Sequence, residues 1–152
     1  MEMRPIYPGT DASAEQVLAL AEEYRAAAHH LLQRGQRGNP ATWAPARLLA
    51  LQAIELQLNG LLLYRGLEPA AIRALQHDLA RRCALAFAFG IVLRKRTADH
   101  LRALHDGREY LTTRYAPECA ASWSRINRLM ATLDEVSCKV AKATGLPVNN
   151  PA

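Results

Sequence analysis

One segment restricts the fold more than any other. Residues 45–64, "PARLLALQAIELQLNGLLLY", carry Leu48, Leu49, Leu51, Ile54, Leu56, Leu58, Leu61, Leu62 and Leu63, which together leave almost no polar face. A helix that is apolar nearly all round has to be covered on several sides, so it belongs at the centre of a multi-helix core. Proline in its first turn and Gly66 beyond its end fit the usual asymmetry of helix termini. Among its polar exceptions, Gln52, Glu55 and Asn59 are spaced i, i+3 and i+7 on one narrow stripe. That stripe must reach solvent or find partners within the bundle.

The remaining chain supplies helices to cover it. Alanine and leucine dominate, valine and isoleucine are scarce, and no strand-like alternation appears, so the fold class is all-α. A first helix starts after Asp11 or Ser13, with Glu15 or Gln16 placed for a capping box, and runs to about Gln33 ahead of Gly35 and Gly38. A third helix begins near Pro69, with Ile72, Leu75, Leu79, Cys83 and Ala86 on one face and Arg73, His77 and Arg81 stacked one turn apart elsewhere. Gly90 marks a bend before a helix over residues 97–115, and Pro117 opens the last helix. In that helix Ile126, Leu129, Leu133, Val136 and Val140 step by three and four, a seam suited to another helix and, on a second copy, to a homodimer. The expectation is one domain over residues 1–152, an up-and-down bundle of four main helices plus one additional or broken helix, with tails at 1–10 and 146–152.

Charge and cysteine content narrow the setting. The net charge of +5 comes mostly from arginine, which permits bidentate phosphate recognition as readily as simple solvation. Cys83, Cys119 and Cys138 are odd in number and form no C-x-x-C pair, which speaks for a reduced, cytoplasmic chain. The opening "MEMRPIYPGTD" lacks the apolar core of a signal peptide, and no stretch reaches the ~18 to 20 apolar residues of a membrane span, so no membrane partner is expected. Glu-x-x-His pairs and phosphate-cradling glycine loops are absent, so no metal and no cofactor are expected.

Three pieces in order, "LLALQAIELQLNGLLLYRG", "HDLARRCALAF" and "LRALHDGREYLTTRYAPE", resemble the HEPN domain, a nucleotide-binding helical bundle. The matching residues are Ala53 and Glu55, then His77, Asp78 and Leu79, then Arg114 and Tyr115, within a span from Leu48 to Val140. Asn59 stands where the family often has lysine, and Ala116 separates Tyr115 from Pro117. The resemblance implies a module that associates with nucleotide or RNA, dimerises, and in many small members pairs with a nucleotidyltransferase as a toxin–antitoxin set. It assigns phosphate contacts to Arg73, His77, Arg81 and Arg114.

Two other readings stand beside it. Gln52, Glu55, Asn59, Asp78 and Tyr115 can form a structural polar cluster in which His77 or Asp78 anchors helix to helix, making the chain a partner-binding bundle. Adjacent residues on a helix do not share a face, so His77 and Asp78 enter one pocket only with the help of a helix end. Many HEPN proteins are metal-independent ribonucleases, toxin-like, that use an arginine and a histidine four to six residues apart. Arg94 and His100 in "RKRTADH" have that spacing, with histidine for acid–base work and arginine for phosphorane charge. Trp43 and Trp123 are expected to be hydrophobic anchors.

Overall fold

The computed structural model describes residues 5–146. These residues form seven α-helices and three short 3-10 segments, with no strand among them. The helices are α1 (Ala14–Leu31), α2 (Ala44–Tyr64), α3 (Pro69–Ala74), α4 (Leu79–Ala88), α5 (Lys95–Asp106), α6 (Glu109–Tyr115) and α7 (Ile126–Thr144). Pro147 and the residues after it, where a tail was expected, lie outside the described range. No described helix is long and apolar enough to cross a membrane.

Local chemistry explains where α1 starts. Ser13 accepts from the Gln16 backbone N–H at 3.1 Å, and the Gln16 side chain accepts from the Ser13 N–H at 2.9 Å, completing the expected capping box. Of the two candidate caps the sequence left open, Ser13 is the one used.

The apolar segment is the central helix it had to be. In α2, Ala50, Ala53, Ile54, Leu58, Leu61 and Leu62 are all but inaccessible to solvent, and the helix packs against α1, α4, α6 and α7. The approach of α1 is close at Gly60, where an added Cβ would fall 2.4 Å from Leu18 Cδ2 and make that side chain shift.

Three expectations need correction. The helix expected from Pro69 onward is two helices, α3 and α4, separated by a turn in which Gln76 adopts the left-handed conformation at φ 52°. Asp78 then begins α4 as its N-cap, accepting from the Arg81 N–H at 2.8 Å. A short acid that bonds the backbone ahead of it favours a new helix start over continuation of the old one. Arg73, His77 and Arg81 are therefore not stacked on one helix. The helix expected over residues 97–115 breaks likewise, at Gly107 and at Arg108, whose φ is 51°. Pro117 opens a 3-10 segment, Pro117–Ser122, and the last helix starts only at Ile126.

The seam on α7 is also spoken for. Leu129, Leu133, Val136 and Val140 are buried in the core of the same chain, where α7 packs on α2 and α5, so the seam cannot serve a second copy.

Candidate functional site

The break between α3 and α4 puts His77 at a junction. Its ring leaves the chain just before the Asp78 cap and turns back toward α2, where Nδ1 lies 3.0 Å from Glu55 Oε1. A carboxylate only accepts, so Nδ1 carries a proton and donates it to Glu55. Tyr110 of α6 lies beside the ring, with centroids 4.7 Å apart. Asp78 faces the other way, capping α4 and approaching His105 Nδ1 at 3.4 Å. The helix end that adjacent residues need in order to enter one pocket is present: both line one cavity of 220 Å³, although their hydrogen bonds go to different neighbours, His77 to Glu55 and Asp78 to the Arg81 N–H.

Glu55 is also held by Arg82, from the buried face of α4. Arg82 is 2% exposed; its Nε donates to Asn59 Oδ1 at 2.8 Å, and Nη1 donates to the Asp78 carbonyl at 3.3 Å and lies 3.9 Å from Glu55. Burial pulls its pKa below the ordinary arginine value, and the charges of Glu55 and Asp78 push back. Two of the three residues of the expected polar stripe of α2 thus find partners inside the bundle: Glu55 meets His77 and Arg82, and Asn59 meets Arg82.

Three adjoining cavities share His77. The largest, 470 Å³, lies between the segment leading into α1, α2 and the α3–α4 turn, with Glu55, Asn59, Arg73, Gln76, His77 and Arg82 among its lining. A second, 220 Å³, is lined by Asp78, Arg81, His105 and Tyr110, and a small third of 20 Å³ reaches Gln52, Tyr110 and Arg114. Arg73, Arg81 and Arg114 are thereby each brought to a cavity that contains His77, but no cavity holds two of them. All three are exposed, and the Arg73 guanidinium stacks over the ring of Tyr7 at 4.3 Å.

Two sequence expectations do not assemble. Tyr115 is 73% exposed and stands apart from the cluster of Gln52, Glu55, Asn59 and Asp78 to which it was assigned. It ends α6, and the Ala116 that follows leads the chain out to Pro117 rather than back toward α2. Arg94 and His100 do not share a surface. Arg94 is a solvated N-terminal residue of α5 whose Nε lies 3.7 Å from Glu135, whereas His100 is buried and hydrogen-bonded through Nδ1 to Thr132 Oγ1 at 2.7 Å. Burial, with Arg128 and Arg47 nearby, lowers the pKa of His100 to about 4. A histidine that is walled in and neutral cannot trade protons with a substrate on the surface.

Arg82 was missed by the sequence reading, although a signal existed. It falls between Leu79, Cys83 and Ala86 in the three-four rhythm of the inward face of α4, so its position alone marked it as a buried charge requiring a carboxylate. Comparison with protein-family models, with curated proteins and with solved structures gives no match to the chain.

Proposed function

We propose that the chain is a HEPN-like module that binds a nucleotide in the 470 Å³ cleft at His77, base inward and phosphate at its arginine rim, and acts by binding rather than by cleavage. The observation that carries this reading is the polarity of the cleft. Its floor presents an acceptor, the half-buried Glu55 carboxylate fixed by His77 and Arg82, and its rim presents the exposed guanidinium of Arg73. A nucleobase offers N–H donors to such a floor, and a phosphate matches the planar fork of arginine. The volume lies within the ~300 to 1,000 Å³ typical of small-molecule sites.

Calorimetric titration with a nucleoside monophosphate, and with the matching nucleoside, tests the assignment. The nucleotide is expected to bind more tightly than the nucleoside, and the difference should shrink as salt rises. In Arg73→Gln the two should bind alike, whereas Glu55→Gln should weaken both. Equal affinity for nucleotide and nucleoside in the parent protein would refute the reading. The partner it carries, by the resemblance, is a nucleotidyltransferase; co-expression followed by size-exclusion chromatography tests the pairing, and separate elution rejects it.

A further inference from the structure

The two tryptophans of the chain lie far apart in sequence and line one cavity of 240 Å³, which shares no lining residue with those around His77. Each ring is held in place. Trp43 closes the 3-10 segment Pro40–Trp43, donates its indole N–H to the Gln36 carbonyl at 3.1 Å, and lies so tightly on Gly35 that a Cβ there would meet the ring at 2.3 Å. Trp123 follows the Pro117–Ser122 segment and donates to Thr112 Oγ1 at 3.1 Å. Asn39, Pro40 and Ile126 help complete the wall.

Arg47, from the first turn of α2, brings charge to this aromatic site. It is 7% exposed, and its guanidinium lies 5.6 Å from the Trp123 ring centroid. One Nη donates to the Ser124 carbonyl; the other, Nη1, has no hydrogen-bond partner. Glu109 is the neighbouring carboxylate, but it lies 3.9 Å from Nη1 and is already occupied by the Ser124 N–H at 2.5 Å and the Ser124 hydroxyl at 3.1 Å. Arg128, whose Nε is likewise buried without a partner, adds a second positive charge close to His100. The carboxylate nearest to Nη1 thus stands beyond hydrogen-bond distance of it while accepting from Ser124. A buried cation short of a partner is costly, and an incoming anion relieves that cost.

We propose that this cavity is a binding site for a small aromatic carboxylate, its ring against Trp43 and Trp123 and its carboxylate on the Arg47 guanidinium. Size sets the class: 240 Å³ falls below the roughly 300 Å³ at which drug-sized sites begin, which admits one or two fused rings and excludes a whole nucleotide. The aromatic walls and the planar guanidinium select a flat anion over an aliphatic one.

Both tryptophans report on the site, so quenching of intrinsic fluorescence by benzoate and by phenylacetate, confirmed by calorimetry, is the test. Saturable one-to-one binding is expected, weaker by about tenfold or more for benzyl alcohol, the neutral analogue, with inorganic phosphate failing to compete. Arg47→Met should remove the preference for the anion. Should that variant not fold, Ile126→Trp, which fills the cavity while keeping Arg47, should abolish binding on its own. Benzyl alcohol binding as tightly as benzoate, undiminished binding in Ile126→Trp, or no saturable signal with either carboxylate would overturn the proposal. None of these outcomes bears on the His77 cleft, so the two sites stand or fall separately.

Discussion

His100 ties the stability of this bundle to pH, and the effect can be worked from the structure. The imidazole is 7% exposed, bonded to Thr132 through Nδ1, and without a partner at Nε2. Burial first, then the positive charges of Arg128 and Arg47, lowers its pKa from 6.5 to about 4. Between those values the unfolded chain binds a proton at this residue and the folded chain does not, so unfolding is favoured as pH falls. The contribution is fully present above pH ~6.5 and lost as pH drops toward about 4. At 1.36 kcal/mol for each pH unit of difference, the loss is about 2 kcal/mol at pH ~5 and about 3 kcal/mol at pH ~4, a large share of a marginal stability of 5–15 kcal/mol. The assay is urea unfolding followed by circular dichroism across this range, for the parent and for His100→Gln, which cannot take up a proton. Carboxylates and the other histidines titrate in both proteins and cancel in the difference. The gap between the two proteins should therefore change by about 2 kcal/mol between pH ~7 and ~5, with the variant less sensitive to acid. A gap that stays constant, or an imidazole NMR titration of His100 centred near 6.5, would refute the reasoning.

Other perturbations follow from the same packing. Gly60→Ala overlaps the Leu18 side chain, an overpacking cost of about 1 to 3 kcal/mol set against about 1 kcal/mol of gained helix propensity, so a net lower urea midpoint is expected; an unchanged or higher midpoint would mean that Leu18 or α1 shifts freely. Leu133→Ala opens a cavity in the core where the α7 seam packs, so a loss of about 2 to 5 kcal/mol is expected with no change in oligomeric state by light scattering. Glu55→Ala strands the buried Arg82 as well as His77 and should cost on the order of 1 to 3 kcal/mol, with Glu55→Gln retaining part of it; equal melting midpoints for all three proteins would contradict the geometry.

How much of this could be seen in the sequence depended on how local the deciding interaction is. Composition and the largely apolar run of α2 dictated helices around a central helix, and the two candidate caps, Asp11 and Ser13, bracketed the start of α1 within two residues. Helix breaks were harder, because each rests on a short-range competition that periodicity does not report. The apolar face from Ile72 to Ala86 keeps its rhythm across the Gln76 turn, so residues 69–88 read as one helix although Asp78 starts a second. The Arg94–His100 spacing failed for a different reason. Spacing along a helix fixes an angle but not an environment, and only the assembled fold shows His100 beneath Thr132, Arg47 and Arg128 while Arg94 stands in solvent. The α7 seam was legible as a packing surface, but a sequence cannot tell whether such a seam meets its own chain or another.

The adjacency of His77 and Asp78 shows what the α3–α4 break accomplishes. On a continuous helix the two side chains would diverge by about 100°, and only one could face α2. Ending α3 before His77 and starting α4 at Asp78 frees the histidine from helical geometry. It can then lean back to Glu55 while the aspartate faces forward to the Arg81 N–H. The left-handed turn at Gln76 costs energy for a residue with a side chain, and such strain persists only where the surroundings hold it. Here they do: Glu55 and Tyr110 fix the ring on one side of the turn, while Arg82, through the Asp78 carbonyl and Asn59, ties the start of α4 to α2 on the other. The break therefore gives His77 one face bonded to the core and one face open to the cavities beside it. Tertiary contacts thus fix the orientation of the ring within the fold.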